Sequence, residues 1–212
     1  MKIIKTGTKL RLSLIHSSNL KFGITLMAFG FLKKMFFADN IAPMVNEIFK
    51  FPIGYDSFAI IVTTIAFGIQ VYADFSAYSD IAIGAAFILG FKIPKNFNKP
   101  FFAISPSDFW RRWHISLSTW VRDYLFYPII FRKLNSDMMY ICGLVVTFFL
   151  LGLWHGAGWN FIIFGLLHGS YVTIEFIVRR KIPFLSNNKF FSTKIGKIIS
   201  ILVTQYLVFL AF

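Results

Sequence analysis

Between Asp137 and Glu175 the chain runs for 37 residues without an Asp, Glu, Lys or Arg, nearly twice the ~20 apolar residues that carry a helix across a bilayer. With 57% of the 212 residues hydrophobic, 19% aromatic and 28 of them Phe, the run belongs to a membrane protein and not to a soluble core. Gly152, Gly156 and Gly158 weaken a helix in the middle of it, so two short spans meeting near His155 are expected. The run also holds His155 and His168, two of the four histidines. An ionisable group at membrane depth marks a candidate functional site. Apolar surroundings favour the neutral imidazole, which has a nitrogen able to accept a proton, as a general base must.

The remaining charge is distributed around apolar spans. The formal net charge is +13. Because the basic residues flank the spans instead of tiling one polar domain, the lipid bilayer and its anionic headgroups are the expected partner, and nucleic acid is not. Lys2, Lys5, Lys9, Arg11 and Lys21 precede an apolar run with no clear cleavage site, so no signal peptide is read. Cys142, the one cysteine, rules out an internal disulfide and is expected to be a buried, inert thiol. Phe22 to Phe37 meets Lys33 and Lys34 too early for a full span, and is expected to lie in the interface or to end by snorkelling of these lysines. Asp39 to Asp56 is read as an outward-facing loop, because it alone has a negative balance.

Ser57 to Phe91 covers 35 residues with only two charges. As one helix it would extend about 52 Å against a hydrocarbon core of ~30 Å. It is expected to bend, tilt strongly or re-enter at the polar cluster Tyr72 to Asp80. Asp74 and Tyr78, four residues apart, would share a helix face and are candidates to line a substrate passage. With no His or Cys near Asp74 or Asp80, no metal site is expected.

Lys92 to Asp137 is the polar middle of the chain, with Lys92, Lys95, Lys99, Arg111, Arg112, Arg122, Arg132 and Lys133 against three aspartates, and it is expected to be cytoplasmic. Ser105-Pro106-Ser107-Asp108 reads as a helix start, with Ser105 as N-cap, Pro106 in the first turn and Asp108 near the positive end of the dipole. An amphipathic helix should follow, with Trp110, Trp113, Leu117, Trp120 and Tyr124 on one face, suited to the membrane interface.

Each candidate also has a plainer reading. His155, beside Trp154, Trp159 and Asn160, could equally be a packed histidine bonded to a carbonyl. His168 lies thirteen residues on, about 220° around a continuous helix, and is expected to be structural. His114 reads by itself as a solvated or lipid-facing residue. Arg111, Arg112 and Arg122 suit headgroup anchors or a docking face for an acidic partner. No phosphate loop, dinucleotide fingerprint, His-Glu-x-x-His pair or Gly-x-Ser-x-Gly elbow is present.

Four blocks carry a resemblance. They are Tyr72-Ala-Asp-Phe-Ser-Ala-Tyr-Ser-Asp-Ile-Ala-Ile-Gly84, Asn96-Phe-Asn-Lys-Pro-Phe101, Asp108-Phe-Trp-Arg-Arg-Trp-His-Ile-Ser-Leu-Ser-Thr-Trp-Val-Arg-Asp-Tyr124, and Gly152-Leu-Trp-His-Gly-Ala-Gly-Trp159 with Leu167-His-Gly169. In order and spacing, across residues 22 to 178, they resemble the membrane-bound O-acyltransferases, in particular the alginate O-acetyltransferase branch. The resemblance implies an all-α, polytopic transmembrane fold and an invariant histidine in a tunnel through the bilayer, matched by His155. A second histidine near the cytoplasmic entrance is matched by His114. It implies no bound cofactor. Instead an acyl thioester or similar activated donor arrives from the cytosol, and the acyl group passes outward, through an extracytoplasmic acetyl-transfer partner protein, to hydroxyls of an exported polysaccharide.

The expected protein is therefore a single membrane-embedded domain over 1–212, truncated at both ends, in a bacterial inner membrane. His155 serves as general base and His114 as entrance residue, while Asp74, Tyr78, Trp154 and Asn160 are channel candidates, Asn160 also as an oxyanion donor. Alternatives are transfer of D-alanine or another acyl group to a cell-wall polymer, an inactive remnant or scaffold docking through the three arginines, and, from Asp74 and Asp80 alone, a transporter.

Overall fold

The computed structural model describes residues 17–131, 136–182, 184 and 189–211. Lys2, Lys5, Lys9, Arg11, Arg132 and Lys133 lie outside them. The described residues are helical and contain no strand. Among the described residues, four helices are long and apolar enough to cross a membrane, Ser57–Ile88, Asp137–His155, Trp159–Lys181 and Lys194–Ala211. In order, the helices are α1 (Ser17–Leu32), α2 (Asp39–Lys50), α3 (Ser57–Ile88), α4 (Pro106–Arg112), α5 (Ile115–Val121), α6 (Tyr127–Ile130), α7 (Asp137–His155), α8 (Trp159–Lys181) and α9 (Lys194–Ala211). Wider π-type turns, Lys33–Ala38 and Arg122–Phe126, join α1 to α2 and α5 to α6. Two compact units result, one from the chain up to Pro43 with Ile69–Pro94, the other from Met44–Gly68 with Lys95 onward.

In the first unit, α1 meets the second half of α3 closely enough that a Cβ on Gly84 would lie 2.6 Å from the Gly23 carbonyl, the small-residue approach typical of helices in lipid. The two lysines pair with carboxylates. Lys33 Nζ lies 2.7 Å from Asp80 Oδ2 and donates to Ser76 Oγ at 2.9 Å. Lys34 Nζ lies 2.8 Å from Asp74 and 2.9 Å from Asp39. Of the expected bend, tilt or re-entry, the structure leaves the tilt, for α3 stays helical through Tyr72 to Asp80. Once each carboxylate has a lysine partner, the polar cluster needs no irregular backbone to satisfy it. At about 48 Å, α3 exceeds the hydrocarbon thickness and must tilt or project.

The second unit holds the end of α2 from Met44, the start of α3 to Gly68 and the chain from Lys95. The Asp39 to Asp56 stretch is not a simple loop, because Asp39–Lys50 is helical with Val45 and Ile48 buried three apart. Asp56 caps α3, its Oδ1 accepting from the Ala59 N–H at 2.7 Å. The α7–α8 hairpin forms where the glycines predicted it, with α7 ending at His155 and α8 starting at Trp159. The two helices pack along each other through Gly152 and Gly165, whose backbones are so close that a Cβ on Gly165 would lie 3.0 Å from the Gly152 Cα. Phe126, Ile130, Leu144, Phe148, Leu151 and Val172 form the apolar core beside that crossing. Cys142 does not join it. Its side chain lies on the exposed face of α7, because Gly143 and Leu144, the next residues round the turn, are the ones turned inward.

A three-histidine candidate active site

The N-cap read from the sequence is present. Ser105 Oγ accepts from the Asp108 N–H at 3.2 Å, with Pro106 in the first turn. Asp108 is only 9% exposed, and its Oδ2 accepts from the Ile104 N–H at 3.2 Å and from Arg112 Nε at 2.9 Å. The Ser107 N–H donates to Glu175 Oε2 at 2.8 Å, which ties the start of α4 to the middle of α8. Replacing Asp108 by Ala removes the partner of a half-buried guanidinium and of a backbone N–H. The intact protein in detergent is expected to lose about 3 kcal/mol of stability, read as a lower thermal midpoint. Arg111→Ala should change stability by less than about 0.5 kcal/mol, because that exposed side chain reaches Asp108 only at 3.5 Å.

The predicted continuous amphipathic helix is broken. It ends at Arg112, Trp113 is extended, and His114 sits in the left-handed region at φ 44° before α5 begins. A preceding segment fastens both sides of the break. The Asn98 N–H donates to the Arg112 carbonyl at 2.9 Å, and the Ile115 N–H donates to the Asn96 carbonyl at 2.8 Å. Asn96 Oδ1 accepts from Ser116 through N–H at 3.1 Å and Oγ–H at 2.8 Å, and lies 3.3 Å from His114 Nδ1. The break, with the π-type turn after it, changes the register of the apolar stripe. Trp110, Trp113 and Leu117 pack inward, but Trp120 and Tyr124 are exposed and stack on each other at 5.6 Å, while Val121 and Phe126 take the core positions.

His155 and His168 are linked through an aromatic ring. Phe164 on α8 touches both His155 (centroids 5.3 Å) and His168 (4.7 Å). The 220° separation of a continuous helix does not apply, since the chain turns between Gly156 and Gly158. His168 is 1% exposed and packs against Trp110 at 5.1 Å and Phe109 at 6.2 Å. Phe109 stacks on Trp113 at 5.5 Å, and Phe97 meets Trp113 edge-on at 5.1 Å. His155 ends α7 with an exposed ring, flanked by Trp154 at 5.0 Å and Phe161 at 6.3 Å. His114 is half-buried. Burial first, and the proximity of His155 second, hold its pKa below the ordinary histidine value, which favours the neutral ring.

The other predicted residues fall as follows. Trp154 is 63% exposed beside His155, and Asn160 is exposed in the first turn of α8. Asp74 and Tyr78 belong to the other unit, where Asp74 pairs with Lys34. Arg112 is committed to Asp108. Arg122 pairs with Asp123 at 2.8 Å and lies over the Tyr127 ring, while Arg111 is largely exposed. Sequence reasoning missed Glu175, Phe164 and Asn96 as organising residues. Only Asn96 carried a signal, inside a recognised block but without an assigned role.

Residues 6–211 match the MBOAT, membrane-bound O-acyltransferase, family. The chain belongs to the membrane-bound O-acyltransferase family. Among curated relatives of this acyltransferase-family chain, the probable alginate O-acetylase AlgI of Azotobacter vinelandii is 43% identical over 159 residues, covering 74% of this chain and 31% of the relative. The peptidoglycan O-acetyltransferase of Helicobacter pylori is 37% identical over 161 residues, 76% of this chain and 30% of the relative. The teichoic acid D-alanyltransferase of Bacillus subtilis is 40% identical over 113 residues, 50% of this chain and 29% of the relative. The matched stretch thus spans under a third of each relative's length. Membership agrees with the fold, an all-α membrane protein, and draws attention to the histidines.

Proposed function

We propose that this chain carries the acyl-transfer site of a bacterial inner-membrane O-acetyltransferase. It would move an acetyl group from a cytosolic activated donor, such as an acyl thioester, toward hydroxyls of an exported polysaccharide, through an extracytoplasmic partner protein. The observation that best supports this reading is that His155 and His168 both pack on Phe164, with His114 in the same unit and within electrostatic reach of His155, in a chain whose relatives include O-acetyltransferases.

A hydroxyl is a weak nucleophile at neutral pH. The neutral His155 imidazole takes its proton as the oxygen adds to the acyl carbonyl. When the carbon–sulfur bond of the donor breaks, the same ring returns the proton to the departing thiolate, so an ester forms and no net proton is consumed. The Trp- and Phe-rich surroundings of His155 suit a small acyl group. His114 belongs at the donor entrance. His168, closed in by aromatic rings, serves the packing that sets Phe164 beside His155. Trp154 and Asn160 are the remaining channel candidates near His155.

A second reading, transfer of D-alanine to a cell-wall polymer, is favoured by the teichoic acid D-alanyltransferase relatives from Bacillus subtilis and Streptococcus thermophilus. Mass analysis of the envelope polymers, with and without the intact gene, distinguishes the two. Loss of O-acetyl groups is the expected result. Loss of D-alanyl esters would favour the second reading, and no change in any ester would overturn both.

A further inference from the structure

The backbone break at His114 does more than expose a ring, because it presents that ring to one defined side-chain atom. Asn96 Oδ1 accepts from the Ser116 backbone N–H at 3.1 Å. A backbone N–H can only donate, so this end of the amide is the oxygen and the assignment does not depend on how the amide was oriented. An amide oxygen, in turn, can only accept. The imidazole nitrogen facing it at 3.3 Å, His114 Nδ1, must therefore carry the hydrogen, and in the neutral ring Nε2 is then the acceptor. The backbone is fastened on both sides, by Asn98 on the Arg112 carbonyl and by the Asn96 carbonyl on the Ile115 N–H. The main chain on both sides of His114 is thereby fixed, and the Asn96 amide is held by its bonds from Ser116.

We propose that Asn96 is a positioning residue that holds His114 in its Nδ1–H tautomer, so that Nε2 meets an O–H or N–H group of the incoming substrate and does not act as an oxyanion donor. The tautomer follows from the geometry alone. That the group it meets belongs to an acyl donor or acceptor rests on the function proposed above.

The charged groups around His114 are few. His155 stands at the end of α7 and interacts with it electrostatically. On α4, Arg111 and Arg112 are both paired with Asp108. Lys95 and Lys99 flank Asn96 in the fastening segment. The Asn96 amide itself is neutral, while burial and His155 both favour the uncharged ring. An Asn96→Asp substitution keeps the acceptor and adds a negative charge at Nδ1, which favours the imidazolium. His114 then loses its acceptor form at a higher pH, and the acid limb of kcat/KM moves upward.

Two measurements on the intact protein in lipid nanodiscs test this. Nitrogen-15 spectra of histidine-labelled protein, with His114→Gln to identify its signals, are expected to show a protonated Nδ1 and a bare Nε2 for neutral His114. A protonated Nε2 would overturn the proposal whatever the enzyme does. In Asn96→Asp, the acid limb of the acyl-transfer profile should rise by about one pH unit or more. A lowered rate with an unmoved profile would mean that Asn96 only supports the fold, and would also overturn it. If the spectra show the Nδ1–H tautomer but no acyl transfer is found with any donor, the proposed function fails and the positioning of His114 stands.

Discussion

Gly165→Val is expected to disrupt the second unit, lowering the stability of the intact protein by about 3 kcal/mol or more. A Cβ at this position would stand 3.0 Å from the Gly152 Cα and 3.1 Å from the Gly152 nitrogen, with the Phe148 carbonyl closer still. These are backbone atoms of α7 and cannot swing aside as a flexible side chain would. The two helices would have to separate, and with them the Leu144, Phe148, Leu151 and Val172 contacts of the core. In lipid there is little hydrophobic gain to drive α7 and α8 back together, since close backbone packing is itself the main attraction. Thermal unfolding in detergent measures the effect. Gly54→Ala serves as the comparison, because nothing lies within 4 Å of a Cβ there. Equal midpoints for the two variants would show that the helix crossing is not as close as described.

The same crossing separates what the sequence could reveal from what it could not. The α7–α8 hairpin was legible because helix-weakening glycines interrupt an uncharged run, a signal carried by neighbouring residues. The Ser105 cap was legible for the same reason, with donor and acceptor three residues apart. Charge matching in the first unit was not, since Lys33 meets Ser76 across 43 residues. Without that pairing, the polar cluster on α3 looked like a place where a helix must fail. The apolar stripe from Trp110 to Tyr124 was read at constant helical pitch, and neither the left-handed His114 nor the π-type turn of Arg122–Phe126 announces itself in composition. The break at His114 is stabilised by Asn96, 18 residues earlier, so the local sequence of the helix holds only half of the cause. The family blocks named His114 and His155, but the contacts around each, Phe164 beside His155 and the Asn96 amide beside His114, required the fold.

His155→Ala is expected to have the largest effect on activity. A positioned general base contributes about 10²–10⁴-fold to a proton transfer in the transition state, so acyl-ester formation should fall by at least about 100-fold. Stability should hardly change. The His155 ring is exposed and meets the aromatic rings of Trp154, Phe161 and Phe164, and it lies outside the buried cluster of Val121 to Val172. A His168→Ala replacement should behave in the opposite way. It would empty a fully enclosed site between Phe109, Trp110 and Phe164 and cost stability and activity together.

The measurement that bears most directly on the acyl-transfer site is the initial rate of ester formation from a labelled acetyl donor. Membranes carrying the intact protein would be compared with membranes carrying its His155→Ala variant at equal protein level. A fall of about 100-fold or more with an unchanged thermal midpoint is the predicted result. A rate within about twofold of the unaltered protein would contradict His155 as the base, and the Phe164-centred group of histidines would then be packing and not chemistry.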